Sequence, residues 1–345
     1  MHAGRIQSKR SSIGATRCAR KSSLNATWQA SGVFALYARR HTSLAAKATS
    51  CGFAAQRAIE FRETYHSPPL IPMPFPAHLD WLVNTGNTIA SADGHAVELW
   101  ELNHAGDEVV LSAWAKHFRE HYCDDVLLVE LASGMGLSHS EYLTQIKFPD
   151  VAAAPGPSVR SGDFAEIIVA DYIEYKLGYW CPRQLRYDFK WNRNESTKGC
   201  DVVGFKFSQD GAVGTQDELF VFEAKAQLSL GAQPQNRLQV AIDDSNKDKL
   251  REAMTLNALR QRFLERGDRA PADKVARFQN ETDRPFKRVS GAAALHDVTT
   301  FDPAHAAAVT TAAHFNASNL KLIVVTGTAM MQLVHALYQR AADEA

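Results

Sequence analysis

Regular spacing of apolar residues begins near position 77. Ala96–Leu102 reads as a short strand. Across 108–121, Val110, Leu111, Trp114 and Phe118 fall at i, i+1, i+4 and i+8, the repeat of one helix face. A compact apolar run fills 126–131, and Ser138 is placed to cap a helix over 138–146. These elements define a small α/β module over 77–150, closed by the Pro- and Gly-containing linker at 152–158.

Beyond the linker, 161–177 is expected to be a helix carrying Phe164, Ile167, Ile168, Tyr172 and Tyr175 on one broad face, stopped by Gly178. Alternation predicts strands over 184–191, 201–207 and 218–226, with a polar loop at 192–199 and a loose hairpin connection at 208–217. Helix is expected over most of 237–266, with a break near 243–246. Strands follow at 288–295 and 320–326, and a last helix at 329–342. The order α-β-β-β-α-β describes an α/β sandwich around a short mixed sheet. A second domain is therefore assigned to 155–345.

Composition changes this picture mainly at the start of the chain. The whole sequence of 345 residues balances 38 basic against 38 acidic side chains. Residues 1–72, however, hold eleven Lys and Arg against two Glu, so the remainder holds 27 against 36, a net of −9. Three readings of this basic, Ser-rich head stand: a targeting presequence, a disordered arm that touches nucleic acid, or an upstream extension with Met73 as the start. The third is preferred, because the head lacks sustained periodicity and turn punctuation. Five scattered cysteines without a CxxC pair argue against a disulfide scaffold or zinc ribbon and make a reducing cytoplasm the default location. No apolar run is long enough for a membrane-spanning helix.

Candidate chemistry sits where the pattern expects burial. In the strand at 218–226, side chains alternate between faces, so Glu223 and Lys225 share a face with Leu219 and Val221, while Phe220, Phe222 and Ala224 point the other way. Charges at the end of such a strand are costly unless paired or bound to an ion. Gly199-Cys200-Asp201 opens the neighbouring strand and can set a second carboxylate beside Glu223. A divalent cation relieves the repulsion between two such groups. Glu166 precedes the apolar run Ile167-Ile168-Val169-Ala170 on the leading helix. Phosphodiester hydrolysis would use such a set: Asp201, Glu223 and the Ala224 carbonyl as ligands of Mg2+ (or Mn2+), Glu166 holding a water on the ion or a second ion, and Lys225 facing the nucleophile.

Glu on a leading helix, then Gly-x-Asp, then Glu-x-Lys on the next strand resembles the PD-(D/E)xK nuclease superfamily. The strings Arg160-Ser-Gly-Asp-Phe-Ala-Glu166, Lys198-Gly-Cys-Asp201, Phe222-Glu-Ala-Lys225 and Leu238-Gln-Val-Ala-Ile-Asp-Asp-Ser245 are similar to the nuclease subunit of Hachiman-type and related Abp-type anti-phage systems, the HamA/AbpA family. The likeness covers about 155–300, with weaker support from 110–150. It implies a restriction-endonuclease-like core, a DNase activity with DNA as substrate, and a superfamily 2 helicase as partner. This chain has Ala165 where a glycine is expected before the helix glutamate; both are small.

Plainer roles exist for each residue. Glu223 and Lys225 would suit a surface ion pair, Asp201 a turn cap, and Glu166 and Asp163 the first turn of a helix, the role preferred for Asp163. His117, His121 and Cys123 have ligand-like spacing but no further ligand at a suitable interval, so a solvated helix end is preferred to zinc. Net acidity is poor footing for independent duplex binding. Arg183, Arg186, Lys190, Arg193 and Lys198 could nevertheless line a nucleic-acid groove beside the metals, and Asn246, Lys247 and Lys249 are candidates for phosphate contacts. A catalytically silent adaptor of the same complex, or an RNA-directed nuclease, is the alternative to the DNase.

Overall fold

The computed structural model describes residues 75–208, 214–231 and 235–345. The basic head at 1–72 and the middle of the expected hairpin connection lie outside the described residues. After a 3-10 turn at Ala77–Trp81, β1 (Leu82–Ala90) pairs antiparallel with β2 (Ala96–Leu102). Helix α1 (Glu108–Glu120) begins at Asp107, whose carboxylate accepts hydrogen bonds from the Val109 and Val110 amides at 3.0 and 3.1 Å. The apolar run at 126–131 lies within α2 (Asp125–Met135), ended by Gly136 at φ +68°. Ser138 does cap a helix: α3 (His139–Tyr142) opens with a reciprocal Ser138–Glu141 box and continues as a π turn at Leu143–Lys147.

The leading helix of the second half, α4 (Gly156–Asp171), starts earlier than expected, since Pro157 in the linker suits a first helical turn. It passes into a π turn at Tyr172–Lys176 and stops at Gly178, φ +73°. The strand expected at 184–191 is absent. Its first half is a single helical turn, α5 (Gln184–Tyr187), and Trp180 instead exchanges two backbone hydrogen bonds with Phe205, at 2.8 and 2.9 Å, on the free edge of the next strand. The alternation misled because Arg186 and Tyr187, adjacent in sequence, both turn onto Glu166, which a strand would forbid.

The remaining elements are β3 (Val202–Lys206), β4 (Glu218–Gln227), α6 (Arg237–Ser245), α7 (Asp248–Glu265), α8 (Arg269–Ala276), β5 (Lys287–Asp297), α9 (Pro303–Ala307), β6 (Leu320–Gly327) and α10 (Met330–Asp343), in the expected order except that α8 and α9 are additions to it. All strands join one six-stranded mixed sheet in the order β1-β2-β6-β5-β4-β3, parallel through the centre and antiparallel at both edges. The β1–β2 hairpin from the 77–150 segment enters this sheet through the parallel pairing of β2 with β6.

The central strands are apolar on both faces, as strands covered by helices must be. Phe220, Phe222, Ala293, Leu295, Ile323 and Val325 face one core, shared with α1, α4 and α10. On the other face, Leu219 and Val221 pack with α7 and α8, while Ala292, Ala294, Leu322 and Val324 pack with α6 and α9. Gly291 is required where β5 passes Phe222, because a Cβ there would stand 2.3 Å from the ring.

Candidate active site

Two local features place Asp201. Gly199 adopts φ +101°, and a Cβ on it would meet the Thr255 hydroxyl at 2.6 Å, so glycine allows the loop to turn tightly over α7. The Cys200 amide then donates to Thr255 Oγ1 at 3.0 Å. From there the antiparallel register sets Val202 against Phe222. Continued by one residue, that register brings Asp201 alongside Glu223. β3 has ended at this level, and the Ala224 amide donates to Asp201 Oδ2 at 3.1 Å. In a strand the N–H and C=O of one residue face the same edge, so the Ala224 carbonyl also looks toward Asp201.

Glu166 reaches the same place from α4. Arg186 joins the two acids: its Nε donates to Glu166 Oε2 at 2.7 Å, its Nη2 to Asp201 Oδ1 at 2.9 Å, and its Nη1 to the Cys200 carbonyl. The Tyr187 hydroxyl adds a hydrogen bond to Glu166 at 2.9 Å. On the far side of Asp201, Lys225 Nζ donates to Glu223 Oε1 at 2.6 Å and lies 3.0 Å from Asp244 Oδ2. Glu166, Asp201, Glu223 and Lys225 thus form one cluster, with Asp201 central.

The cluster carries more negative charge than its partners neutralise. Burial raises the Asp201 pKa well above the ordinary carboxylate value, and Glu166 and Glu223 push it further, against Arg186 and Lys225. Glu223 is raised by burial and by Asp248. Asp248, at the start of α7, is raised to about 7 by burial and then by Asp201. Burial opposes the charge on Lys225, but Glu223 and Asp201 outweigh it and hold the ammonium protonated.

Two observations fit this donor set to a divalent cation. Glu223 Oε2 and Asp248 Oδ2 are buried without a hydrogen-bond partner, and buried carboxylate oxygens rarely remain unpaired. Arg251 stands 3.8 Å from Glu223 Oε2, beyond hydrogen-bond range. In addition, the Arg186 guanidinium occupies the space between Glu166 and Asp201 as a tethered cation would. Hard oxygen donors gathered in this way suit Mg2+ or Mn2+.

The other expected contacts divide. Lys190 turns inward: its ammonium pairs with buried Asp163, which also accepts from the Tyr122 hydroxyl at 2.7 Å. Asp163 therefore serves a buried ion pair and not the first turn of α4, and burial raises it to about 6. Arg193 ties Asp150 and the Phe148 carbonyl at 2.9 and 3.1 Å, and Arg183 ties Asp171 and Glu174 at 2.5 and 2.6 Å. Lys198 stays exposed in the loop before Asp201, and Lys247 is exposed and bound to Asp244 at 2.6 Å. His117 pairs with Asp171 at 2.9 Å, joined there by His78 at 3.1 Å, whereas His121 hydrogen-bonds back to the His117 carbonyl; the spacing with Cys123 does not form a ligand set.

Arg251 and Asp248 escaped the sequence reading. Asp248 resembles an ordinary first-turn acid, and only the packing of α7 beneath β3 brings it to the cluster. Asp244 lay within a quoted motif string without an assigned role, and its place two positions before Asn246 at the helix break was the available signal.

Fold and site define a mixed α/β protein whose sheet ends on a buried acidic cluster containing its own lysine. The family model of HamA matches residues 76–341, and the chain belongs to that family. The resemblance read from the motif strings is thereby borne out at the family level, and it places the chain in Hachiman anti-phage defence, a system built with partner subunits. No curated protein matches the chain. Among the described residues, no helix is long and apolar enough to cross a membrane.

Proposed function

We propose that this chain is the metal-dependent nuclease of its defence system, a PD-(D/E)xK enzyme that hydrolyses DNA phosphodiester bonds alongside a superfamily 2 helicase. The observation that carries the reading is the convergence of Glu166, Asp201, Glu223 and Lys225 from α4, the loop before β3, and β4. Asp201, Glu223 and the Ala224 carbonyl would hold Mg2+ or Mn2+, with Glu166 beside them. When bound, the ion supplies Lewis-acid stabilisation of the charge that builds on the phosphate.

The chain's own groups perform the rest. Lys225, kept protonated by its acidic neighbours, acts as a fixed positive charge and hydrogen-bond donor toward the phosphate and the attacking water, not as a base. Glu223 orients Lys225, and Asp244 holds it from the other side. Water attacks phosphorus, the bond to the leaving oxygen breaks, and a phosphate monoester and a free hydroxyl result. Net acidity over most of the fold supports delivery of the substrate by a partner.

The test uses purified complex, plasmid DNA, a structured RNA and Mg2+. Wild type should degrade the plasmid, while Asp201→Ala and Glu223→Gln should lose at least about a hundredfold in rate, the scale of an electrostatic stabiliser. Equal degradation by wild type and Asp201→Ala would remove the assigned site, and degradation of RNA alone would change the substrate.

A further inference from the structure

A cleft of about 670 Å³ runs from Asp201 between the loop after α5 and the outer side of α7. Its size lies within the ~300–1,000 Å³ of a small-molecule pocket, room for part of a single strand. Two aromatic side chains rise from its rim. Trp191 is 100% exposed and Phe189 54% exposed, although large aromatic groups are ordinarily buried. Arg262 lies 5.0 Å over the Phe189 ring.

Charge in the cleft opposes that of the body around it. Residues 73–345 carry a net of −9, yet Lys198, Arg251 and Arg262 line the cleft together with Arg186. Neither Lys198 nor Arg262 forms an ion pair among the described residues, so neither charge has a carboxylate partner. Positive side chains along a channel, interleaved with exposed aromatic faces, form a site for unpaired nucleic acid: the cations follow the backbone and bases stack on the rings. Bases within a duplex are already stacked and hidden, so Trp191 and Phe189 would gain nothing from one.

We infer that the strand entering this site is unpaired, and that Trp191 and Phe189 hold it by stacking while Lys198 and Arg262 contact its phosphates beside Asp201. The consequence for cleavage rests on the nuclease reading; the binding itself does not. The cleft thereby selects single-stranded substrate, and duplex must be opened before it can enter.

The test measures binding of the full chain, in EDTA so that no hydrolysis intervenes, to a fluorescent 20-mer of oligo(dT), to oligo(U) and to a duplex of equal length. Oligo(dT) should bind at least about tenfold more tightly than duplex, Trp191→Ala should weaken it about tenfold, and Trp191→Phe should restore most of the loss. Tighter binding of oligo(U), with the same response to Trp191→Ala, would support the unpaired strand and assign it to RNA. Equal affinity for duplex, or an oligonucleotide affinity unmoved by Trp191→Ala, would overturn the inference. Loss of partner co-purification in Trp191→Ala, with oligonucleotide binding unchanged, would overturn it in favour of a protein-docking surface. Failure of hydrolysis in Mg2+ with this binding pattern intact would defeat the nuclease reading alone.

Discussion

Arg186→Met separates a cation site from a merely structural ion pair. In the fold, the guanidinium serves Glu166 at 2.7 Å and Asp201 at 2.9 Å in a place where both carboxylates are largely buried. Removing one partner of a buried ion pair costs about 3–5 kcal/mol, because the remaining charge stays desolvated and unpaired. Here two carboxylates lose their common partner, so the upper part of that range applies. Methionine keeps much of the side-chain volume, which limits the contribution of a cavity. Urea unfolding in EDTA should show this loss. A divalent ion that binds the folded cluster at a hundred times its Kd returns about 2.7 kcal/mol. The variant should therefore recover much of its stability in saturating Mg2+ or Mn2+, and wild type should gain less, since Arg186 already neutralises the same oxygens. No gain in the variant would refute the claim that these carboxylates form a cation site, and an equal gain for both proteins would refute the claim that Arg186 holds a cation's place between them.

Lys190→Met should behave as a core lesion: about 3 kcal/mol less stable in urea, as expected for a broken buried pair, with oligonucleotide affinity close to wild type. A selective loss of affinity with stability unchanged would return Lys190 to the nucleic-acid groove. His296, a buried residue of β5 with its ring beside Phe301, should make the protein sensitive to acid. Burial lowers its pKa to about 4 from the ordinary 6.5, so between these values the unfolded chain binds the proton and the folded chain does not. Its contribution to stability is full above pH 6.5 and falls by at most about 3 kcal/mol as pH drops toward 4. Unfolding at pH 7 and pH 4.5 should show a smaller loss for His296→Gln than for wild type; equal losses would contradict a neutral buried imidazole.

Much of the site is legible in sequence because two of its parts are local. Period-2 alternation puts Glu223 and Lys225 on the face of Leu219 and Val221, and the cores on the two sides of β4 divide as that alternation requires. A hairpin beginning at Gly199-Cys200-Asp201 can only run back along β4, so proximity of Asp201 to Glu223 follows from chain direction. The segment around Arg186 was misread for a reason equally physical. Its segment alternates like a strand, but the edge of β3 was taken by Trp180, leaving 184–187 free to coil and aim Arg186 and Tyr187 at Glu166.

Outside 184–191, the amino-acid order alone determined most element types, the apolar faces and the charged positions that those faces could not comfortably bury, because helix and strand periods are properties of a few neighbouring residues. Which charges meet was decided by the tertiary structure. Parallel pairing of β4 with β5 and the crossing of α6 and α7 beneath the sheet carry Asp244, Asp248 and Arg251 to the carboxylates of β4. Burial then sets the electrostatics: Lys190 and Lys198, eight positions apart on one polar stretch, end as an interior ion pair and an open cation because only one of them finds an acid within the core.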